Sequence, residues 1–139
     1  MLPGRPAKGH LQPRGSLMRP LVLLFDIDGT LLDTQGAGRR AIDRAFAAHH
    51  NRADACAAIR FGGMTDRAIA RGGLEAIGVE PTDAAIDALL AGYLEALAAV
   101  LPTSHAVVPP GVENTLDAVT AAGAAVGLGT GNLRDGARL

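Results

Sequence analysis

The feature that most constrains the fold is an unbroken apolar run that ends in closely spaced acids. Residues 21–25 are Leu-Val-Leu-Leu-Phe, and Asp26-Ile27-Asp28-Gly29-Thr30 follows at once. An apolar run without polar alternation is typical of a strand covered on both faces, as in a parallel sheet. The sequence therefore predicts a parallel sheet with a polar, glycine-containing loop at the carboxyl end of its first strand.

A second apolar segment, residues 124–128, runs into Gly129-Thr130-Gly131-Asn132 in the same manner. Between the two segments, apolar residues at helical spacing and capping residues predict four helices. These cover about 38–50, start at Thr65 or Asp66, run from Thr82 or Asp83 to Pro102, and run from Val112 to Gly123. The predicted fold class is α/β. Because ligand sites form at the carboxyl ends of parallel strands, we expect the two polar loops to meet.

The acidic loop has three alternative interpretations. A calcium loop needs Gly at its sixth position and Glu at its twelfth, but Leu31 and Ala37 stand there. An Asp-Gly hairpin turn accounts for Asp28 and Gly29 but gives Asp26 no purpose. Two carboxylates two positions apart can instead act as a nucleophile and as a proton donor and acceptor, with a cation holding their charges together.

The segment LLFDIDGTLLDT, at 23–34, resembles the first signature of the haloacid dehalogenase superfamily in its phosphatase form. The resemblance continues through GMTD at 63–66 and PPGVENTLDAVTAAGAAVGLGTGN at 109–132, and it is closest to the phosphoglycolate-phosphatase-like branch. It implies a Rossmann-like parallel core, formed by 20–35 and 106–139, with a helical cap at 36–105 inserted after the first strand. We expect residues 1–19, which are basic and rich in proline and glycine, to form a disordered tail.

The resemblance also implies roles for individual residues. Asp26 would be the nucleophile, and Asp28 would be the general acid and then the general base. Mg²⁺ would bind the Asp26 carboxylate and the Asp28 backbone carbonyl. Thr130 matches the residue that holds a phosphate oxygen, with Gly131 and Asn132 beside it. Asp rather than Tyr at position 28 favours a phosphatase over a dehalogenase, because an alkoxide leaving group needs a proton and a halide does not.

Other motifs are weaker. Thr65 and Asp66 are candidate substrate-contacting residues of the cap by resemblance, but either of them also suits the start of a helix. Residues 36–41 fit the pattern G-x-G-x-x-A, yet the predicted strand ends ten residues earlier, which argues against a dinucleotide site. Cys56 is the only cysteine and lies among alanines, so we expect a small core residue rather than a nucleophile.

Two family features are missing from the sequence. The third signature is a lysine and the fourth an acidic pair, and both normally follow the second signature. Here the only lysine is Lys8, and seven residues follow Asn132. We therefore expect an incomplete sheet and a chain that is truncated at its C-terminal end. The alternative to a Mg²⁺-dependent phosphatase is a catalytically inactive fragment or half-domain that binds only phosphate or a partner, such as a complementing chain or a second copy.

The composition bears on two further kinds of partner, nucleic acids and membranes. The chain has 13 Lys and Arg residues, 14 Asp and Glu residues and a net charge of −1, which argues against nucleic-acid binding. No uninterrupted apolar run approaches the roughly 20 residues of a membrane span. We expect a cytoplasmic protein that acts on a small phosphorylated metabolite.

Overall fold

The computed structural model describes residues 21–139, so the predicted disordered tail lies outside the described residues. Two strands, β1 (Val22–Phe25) and β2 (Ala125–Leu128), pair in parallel, with Val22 opposite Ala125 and Phe25 opposite Leu128. The helices are α1 (Ala37–His50), α2 (Asp66–Ala76), α3 (Asp83–Val100) and α4 (Val112–Ala121), with 3₁₀ turns at Leu101–Thr103 and Gly136–Arg138. The predicted α/β class, a partial Rossmann-like parallel sheet with helices between its strands, is confirmed.

Local sequence accounts for where the helices begin and end. The Thr65 hydroxyl accepts a hydrogen bond from the Ala68 N–H at 3.2 Å, and the Thr82 hydroxyl accepts one from the Ala85 N–H at 3.2 Å. Each hydroxyl satisfies an N–H group that has no partner within the first turn. The predictions that Thr65 and Thr82 begin α2 and α3 are therefore confirmed. Gly123, which has a φ of 78°, follows α4 in the left-handed conformation that glycine adopts without strain.

The hydrophobic core lies entirely among the first three helices and their connections. All residues that the structure describes as buried fall between positions 37 and 104, and α1 and α3 form the most extensive helix pair. Cys56 is fully buried, as expected of a core residue. The largest buried side chains belong to Phe46, Leu74, Ile86, Leu89 and Cys56.

The apolar runs alone predict strands that are covered on both faces, whereas the missing family features predict an incomplete sheet, and the exposure of β1 and β2 agrees with the second prediction. Val22 and Leu24 are 59% and 67% exposed, and Val126 and Leu128 are 43% and 55% exposed. The reason is that the described sheet has two strands and that α4, which packs on β2, has no buried residue. An unbroken apolar run shows that a strand can be covered, but it does not supply the neighbours that cover it.

By length and composition alone, one helical stretch could cross a membrane. Asp83–Thr103 spans 21 residues and contains a window with a mean hydropathy of 1.8. A core helix of a water-soluble protein meets the same criterion, and the large side chains Ile86, Leu89, Leu90 and Leu97 of this stretch are buried within the molecule. Core packing therefore accounts for part of the apolar character of α3, since 33% of that window is buried.

The two chain segments that connect the sheet to the helical region are paired with each other. The Asp33 N–H donates to the Val107 carbonyl at 2.8 Å, and the Val107 N–H donates to the Asp33 carbonyl at 2.9 Å. These positions lie beside the predicted boundaries of the cap at 36–105. The division into core and cap stays a prediction.

Gly73 lets α2 approach α1 closely. A Cβ atom at this position would collide with the Phe46 ring and would lie 2.9 Å from the Cys56 sulfur. Glycine in a helix costs about 1 kcal/mol relative to alanine. This cost is offset by a close contact in the core that no larger residue permits.

We predict opposite effects for alanine at two adjacent glycines of α2. Gly73→Ala should destabilise the protein by about 1–2 kcal/mol, because overpacking outweighs the gain in helix propensity. Gly72→Ala is the matched control and should stabilise the protein, because its Cβ would meet only the movable Ile59 Cδ1 atom, at 3.1 Å. Urea unfolding of both variants measures the difference, and equal stability of the two would contradict the packing argument.

We also predict that Cys56 is unreactive in the folded chain. Burial raises the pKa of its thiol from 9.0 to about 11, with a further rise from the Asp43 charge and a fall from Arg39. The thiolate is the reactive form, so its population at mildly alkaline pH drops roughly a hundredfold. A disulfide reagent should therefore modify native Cys56 at least about 100-fold more slowly than the urea-unfolded chain. Comparable rates in the two states would show that the thiol is accessible.

Candidate active site

The loops that follow β1 and β2 meet, as predicted. The parallel pairing continues beyond the strands through a hydrogen bond from the Gly129 N–H to the Phe25 carbonyl, at 2.8 Å. The Asn132 side-chain amide then donates to an Asp28 carboxylate oxygen at 2.8 Å. These two residues are 104 positions apart in the sequence, so this bond joins the two predicted signature loops directly.

Thr130 orients the Asn132 side chain. The Thr130 hydroxyl donates to the Asn132 Oδ1 atom at 3.1 Å and accepts from the Asn132 backbone N–H at 3.2 Å. With Oδ1 occupied by this hydroxyl, the Nδ2 group of Asn132 faces Asp28. Thr130 therefore acts on the site through Asn132 in this arrangement, and it is not among the residues that line the adjoining cleft.

A cleft of about 530 Å³ opens between these loops and the helical region. Within the described residues, its charged lining is four carboxylates and one guanidinium, those of Asp26, Asp28, Asp33, Asp66 and Arg39. The remaining lining comes mainly from the start of α1 and from the segment before α2. It consists of glycines, apolar and hydroxyl side chains and one amide: Gly29, Thr34, Gly36, Gly38, Ile42, Phe61, Gly62, Gly63, Met64, Ile69, Tyr93, Gly129, Gly131 and Asn132.

Asp66, the first residue of α2, is hydrogen-bonded to the loop that follows β2 through both its backbone and its side chain. Its backbone N–H donates to the Gly131 carbonyl at 3.0 Å, and its Oδ2 atom accepts from the Leu133 N–H at 2.7 Å. Burial raises the pKa of the Asp66 carboxyl, the Leu133 hydrogen bond lowers it, and the Asp28 charge raises it. We name these two hydrogen bonds the Asp66 clasp. It ties the cap side of the cleft to the predicted phosphate loop.

Gly131 is required for this contact. A Cβ atom at position 131 would lie 2.6 Å from the Met64 carbonyl oxygen and 3.0 Å from the Thr65 Cα atom. Both neighbours are backbone atoms, which cannot turn aside as a flexible side chain can. The close approach of the two backbones therefore depends on the absence of a side chain at position 131.

Among residues 21–139, Arg39 is the one cationic residue of the cleft lining, and both of its terminal nitrogens donate a hydrogen bond to the protein. Its two terminal nitrogens donate to the Cys56 and Ile59 carbonyl oxygens at 3.0 and 2.6 Å. Its guanidinium lies 3.8 Å from the centre of the Phe61 ring, in cation–π geometry. Arg39 thus holds the segment that leads into α2 and forms the wall of the cleft.

The structure brings together most of the residues predicted for the site. Asp26, Asp28, Gly131, Asn132 and Asp66 all line the cleft. Thr130 and Thr65 do not, because their hydroxyls bond to Asn132 and to the first turn of α2. The G-x-G-x-x-A segment at 36–41 forms the start of α1, eleven residues beyond β1, so it lacks the strand-to-helix turn of a dinucleotide site.

Sequence reasoning missed Arg39 and Tyr93 as lining residues of the cleft. Tyr93 belongs to the apolar stripe of α3, where its spacing indicates only a core position. Arg39 follows two glycines at the start of α1, and nothing in that local pattern points to a cleft. Both residues reach the site through the packing of α1 against α3.

Residues 23–138 match the family of haloacid dehalogenase-like hydrolases. This chain belongs to that family. Its fold is similar to that of a crystal structure described as a predicted phosphoglycolate phosphatase from Haemophilus somnus 129PT, with a TM-score of 0.56 at 19% identity. The likeness covers 82% of this chain and 52% of that protein, so the chain spans about half of that protein's length. No curated protein matches the sequence.

The donor atoms at the ends of the strands suit a hard cation. Mg²⁺ takes oxygen ligands and is usually held by one or two carboxylates, together with waters and substrate phosphates. Asp26 and Asp28 offer such oxygens on the wall of the cleft. Among residues 21–139, no group of three or more histidine, cysteine or acidic side chains is arranged to hold a metal ion. Asp26 and Asp28 therefore fit Mg²⁺ in the type of their donor atoms.

We predict that Gly131→Ala opens the Asp66 clasp. The added methyl group must displace the Met64 and Thr65 backbone, which separates α2 from the loop after β2. Hydrogen exchange of the Leu133 amide should become at least about tenfold faster, because its bond to Asp66 is lost. Gly62→Ala is the control from the same cleft, since its Cβ would meet nothing within 4 Å. Unchanged Leu133 exchange in Gly131→Ala would contradict this role.

Proposed function

We propose that this chain carries the nucleophile, the acid/base group and the phosphate loop of a phosphomonoester hydrolase. The observation that supports it most directly is the hydrogen bond between Asn132 and Asp28, which places the two polar loops at one edge of the sheet. Membership of a hydrolase family supports the reaction class. The fold shared with a predicted phosphoglycolate phosphatase also favours phosphoryl chemistry.

In the proposed reaction, the Asp26 carboxylate attacks the phosphorus atom of a bound phosphomonoester. The bond from phosphorus to the alcohol oxygen breaks, and that oxygen takes a proton from Asp28. Water then attacks the aspartyl-phosphate and gives its proton to Asp28, which releases inorganic phosphate and restores Asp26. Each residue thus returns to its starting state after one turnover.

The phosphate group would lie against Gly131 and Asn132, which line the cleft at the carboxyl end of β2. Asp26 and the Asp28 backbone carbonyl would hold Mg²⁺. The ion would offset the repulsion between the phosphate, which carries up to about two negative charges, and the carboxylates of the cleft. Arg39, bound to two carbonyl oxygens, supplies only part of that positive charge. The substrate we propose is a small phosphorylated metabolite.

A second candidate is a chain that binds phosphate or a partner without turnover. The exposure of Val22, Leu24, Val126 and Leu128 on the two strands favours it, because such surfaces are normally covered. A second copy or a complementing chain would cover them. The two candidates differ in one measurable respect, which is whether the chain itself hydrolyses an ester.

We predict that Asp26→Asn lowers Mg²⁺-dependent hydrolysis of p-nitrophenyl phosphate by at least about 10³-fold, because the attacking group is removed. Asp28→Asn should also stop turnover. It should still release p-nitrophenol in a single burst, because this leaving group departs without a proton while the aspartyl-phosphate persists. Release of p-nitrophenol measures formation of the aspartyl-phosphate, and trapping of the phosphoenzyme measures its persistence.

Asp117→Asn, an exposed change of the same chemistry on α4, is the control and should leave the rate unchanged. Turnover of the wild-type chain that survives in Asp26→Asn would exclude the proposed nucleophile. Phosphate binding by a wild-type chain that hydrolyses no ester would instead favour the second candidate.

A further inference from the structure

Tyr93 is deeply buried, yet its hydroxyl forms no hydrogen bond with the residues that the structure describes. Its side chain is 5% exposed, and no hydrogen bond contributes to the shift of its pKa. A buried tyrosine hydroxyl usually has a hydrogen-bond partner. Among the described residues, no fully buried side-chain oxygen or nitrogen lacks such a partner. The Tyr93 hydroxyl has no partner within residues 21–139, so it must retain open space beside it.

That space is the candidate active site. Tyr93 lines the 530 Å³ cleft and also a neighbouring cavity of about 420 Å³, and Asp28 and Asn132 line both cavities as well. Gly38 of α1 lies beside this hydroxyl, since a Cβ atom there would be in van der Waals contact with the Tyr93 oxygen at 3.8 Å. The hydroxyl thus stands where the two cavities adjoin the proposed acid/base group.

The surroundings determine what the hydroxyl can bind. Burial raises the pKa of Tyr93, and the charges of Asp66 and Asp28 raise it further, so the phenol stays protonated and can donate a hydrogen bond. The same carboxylates repel a second anionic group. Arg39 is a single guanidinium against the four carboxylates of the lining, and two of its N–H groups already donate to the Cys56 and Ile59 carbonyl oxygens. An uncharged oxygen is the acceptor that suits these surroundings.

We propose that Tyr93 is a substrate-binding residue that donates a hydrogen bond to an uncharged hydroxyl or carbonyl oxygen in the alcohol part of the phosphomonoester. This inference rests on the proposed function, because the phosphoryl group must lie at Asp26 for the alcohol part to reach Tyr93. It names the substrate class as phosphate esters of polyols or sugars rather than of hydroxy acids. The leaving oxygen lies near Asp28, and the next oxygens of the alcohol extend toward α3.

Non-hydrolysable phosphonates test this proposal by equilibrium binding in the presence of Mg²⁺. We expect 2,3-dihydroxypropylphosphonate to bind the wild-type chain about three- to tenfold more tightly than propylphosphonate, which lacks the acceptor oxygens. We expect 3-phosphonopropionate, which carries a carboxylate, to bind more weakly than the dihydroxy compound. Calorimetry measures all three.

The chain contains one tyrosine and no tryptophan, so its intrinsic fluorescence reports on Tyr93 alone. The dihydroxy compound should change this emission, and propylphosphonate should change it less. In Tyr93→Phe, both compounds should bind with the affinity of propylphosphonate. The melting temperature should stay within about 1 °C of the wild type, because the variant loses no hydrogen bond within the protein.

The outcomes separate this proposal from the proposed function. Equal binding of the dihydroxy and plain compounds by the wild type, or a preference that persists in Tyr93→Phe, would overturn the role of Tyr93 and leave the phosphatase proposal standing. Inorganic phosphate and all three phosphonates failing to bind would overturn both proposals.

Discussion

The candidate site depends on the register of one short pair of parallel strands. Phe25 lies opposite Leu128, so Asp28, three residues beyond β1, meets Asn132, four residues beyond β2. A slip by one residue would reverse the faces of the side chains and separate this pair. Yet the strands pair over four residues each and remain largely exposed. The register therefore needs support from outside the sheet, and the helical core supplies it through two connections, the Asp33–Val107 backbone pair and the Asp66 clasp.

The sequence predicted structural features correctly wherever the cause of a feature is local. Thr65 and Thr82 begin helices because a hydroxyl beside a free N–H is a local arrangement, and the acidic loop was placed correctly because strand ends of a parallel sheet share an edge. The apolar runs alone would place both strands under cover, because such a run is the same whether or not neighbours cover it, and only the expectation of an incomplete sheet agrees with their exposure. Arg39 and Tyr93 were missed as lining residues of the cleft. Their places in the cleft come from the packing of α1 against α3, which no short window of sequence contains.

Charge is the second constraint on the site. Four carboxylates and one engaged guanidinium line the cleft, so a phosphate ester enters surroundings that already carry excess negative charge. The Asn132 amide donates to Asp28 and offsets part of this charge, but it brings no full positive charge. On the proposed function, binding of a dianionic phosphate group would therefore call for a further cation, which is the role that positioned metal ions have in phosphoryl transfer.

The loop that we propose to bind phosphate also contacts the cap side, which would couple the two. Gly131 adjoins Met64 and Thr65 on one side and precedes Asn132 on the other, so the 130–133 loop cannot shift without disturbing the Asp66 clasp. A ligand changes an equilibrium between two arrangements only by its difference in affinity for them. On the proposed function, a phosphate that bound the loop as the structure shows it would bind the arrangement in which the clasp is formed. Phosphate binding would then stabilise the clasp, and the clasp would favour phosphate binding by the same free energy.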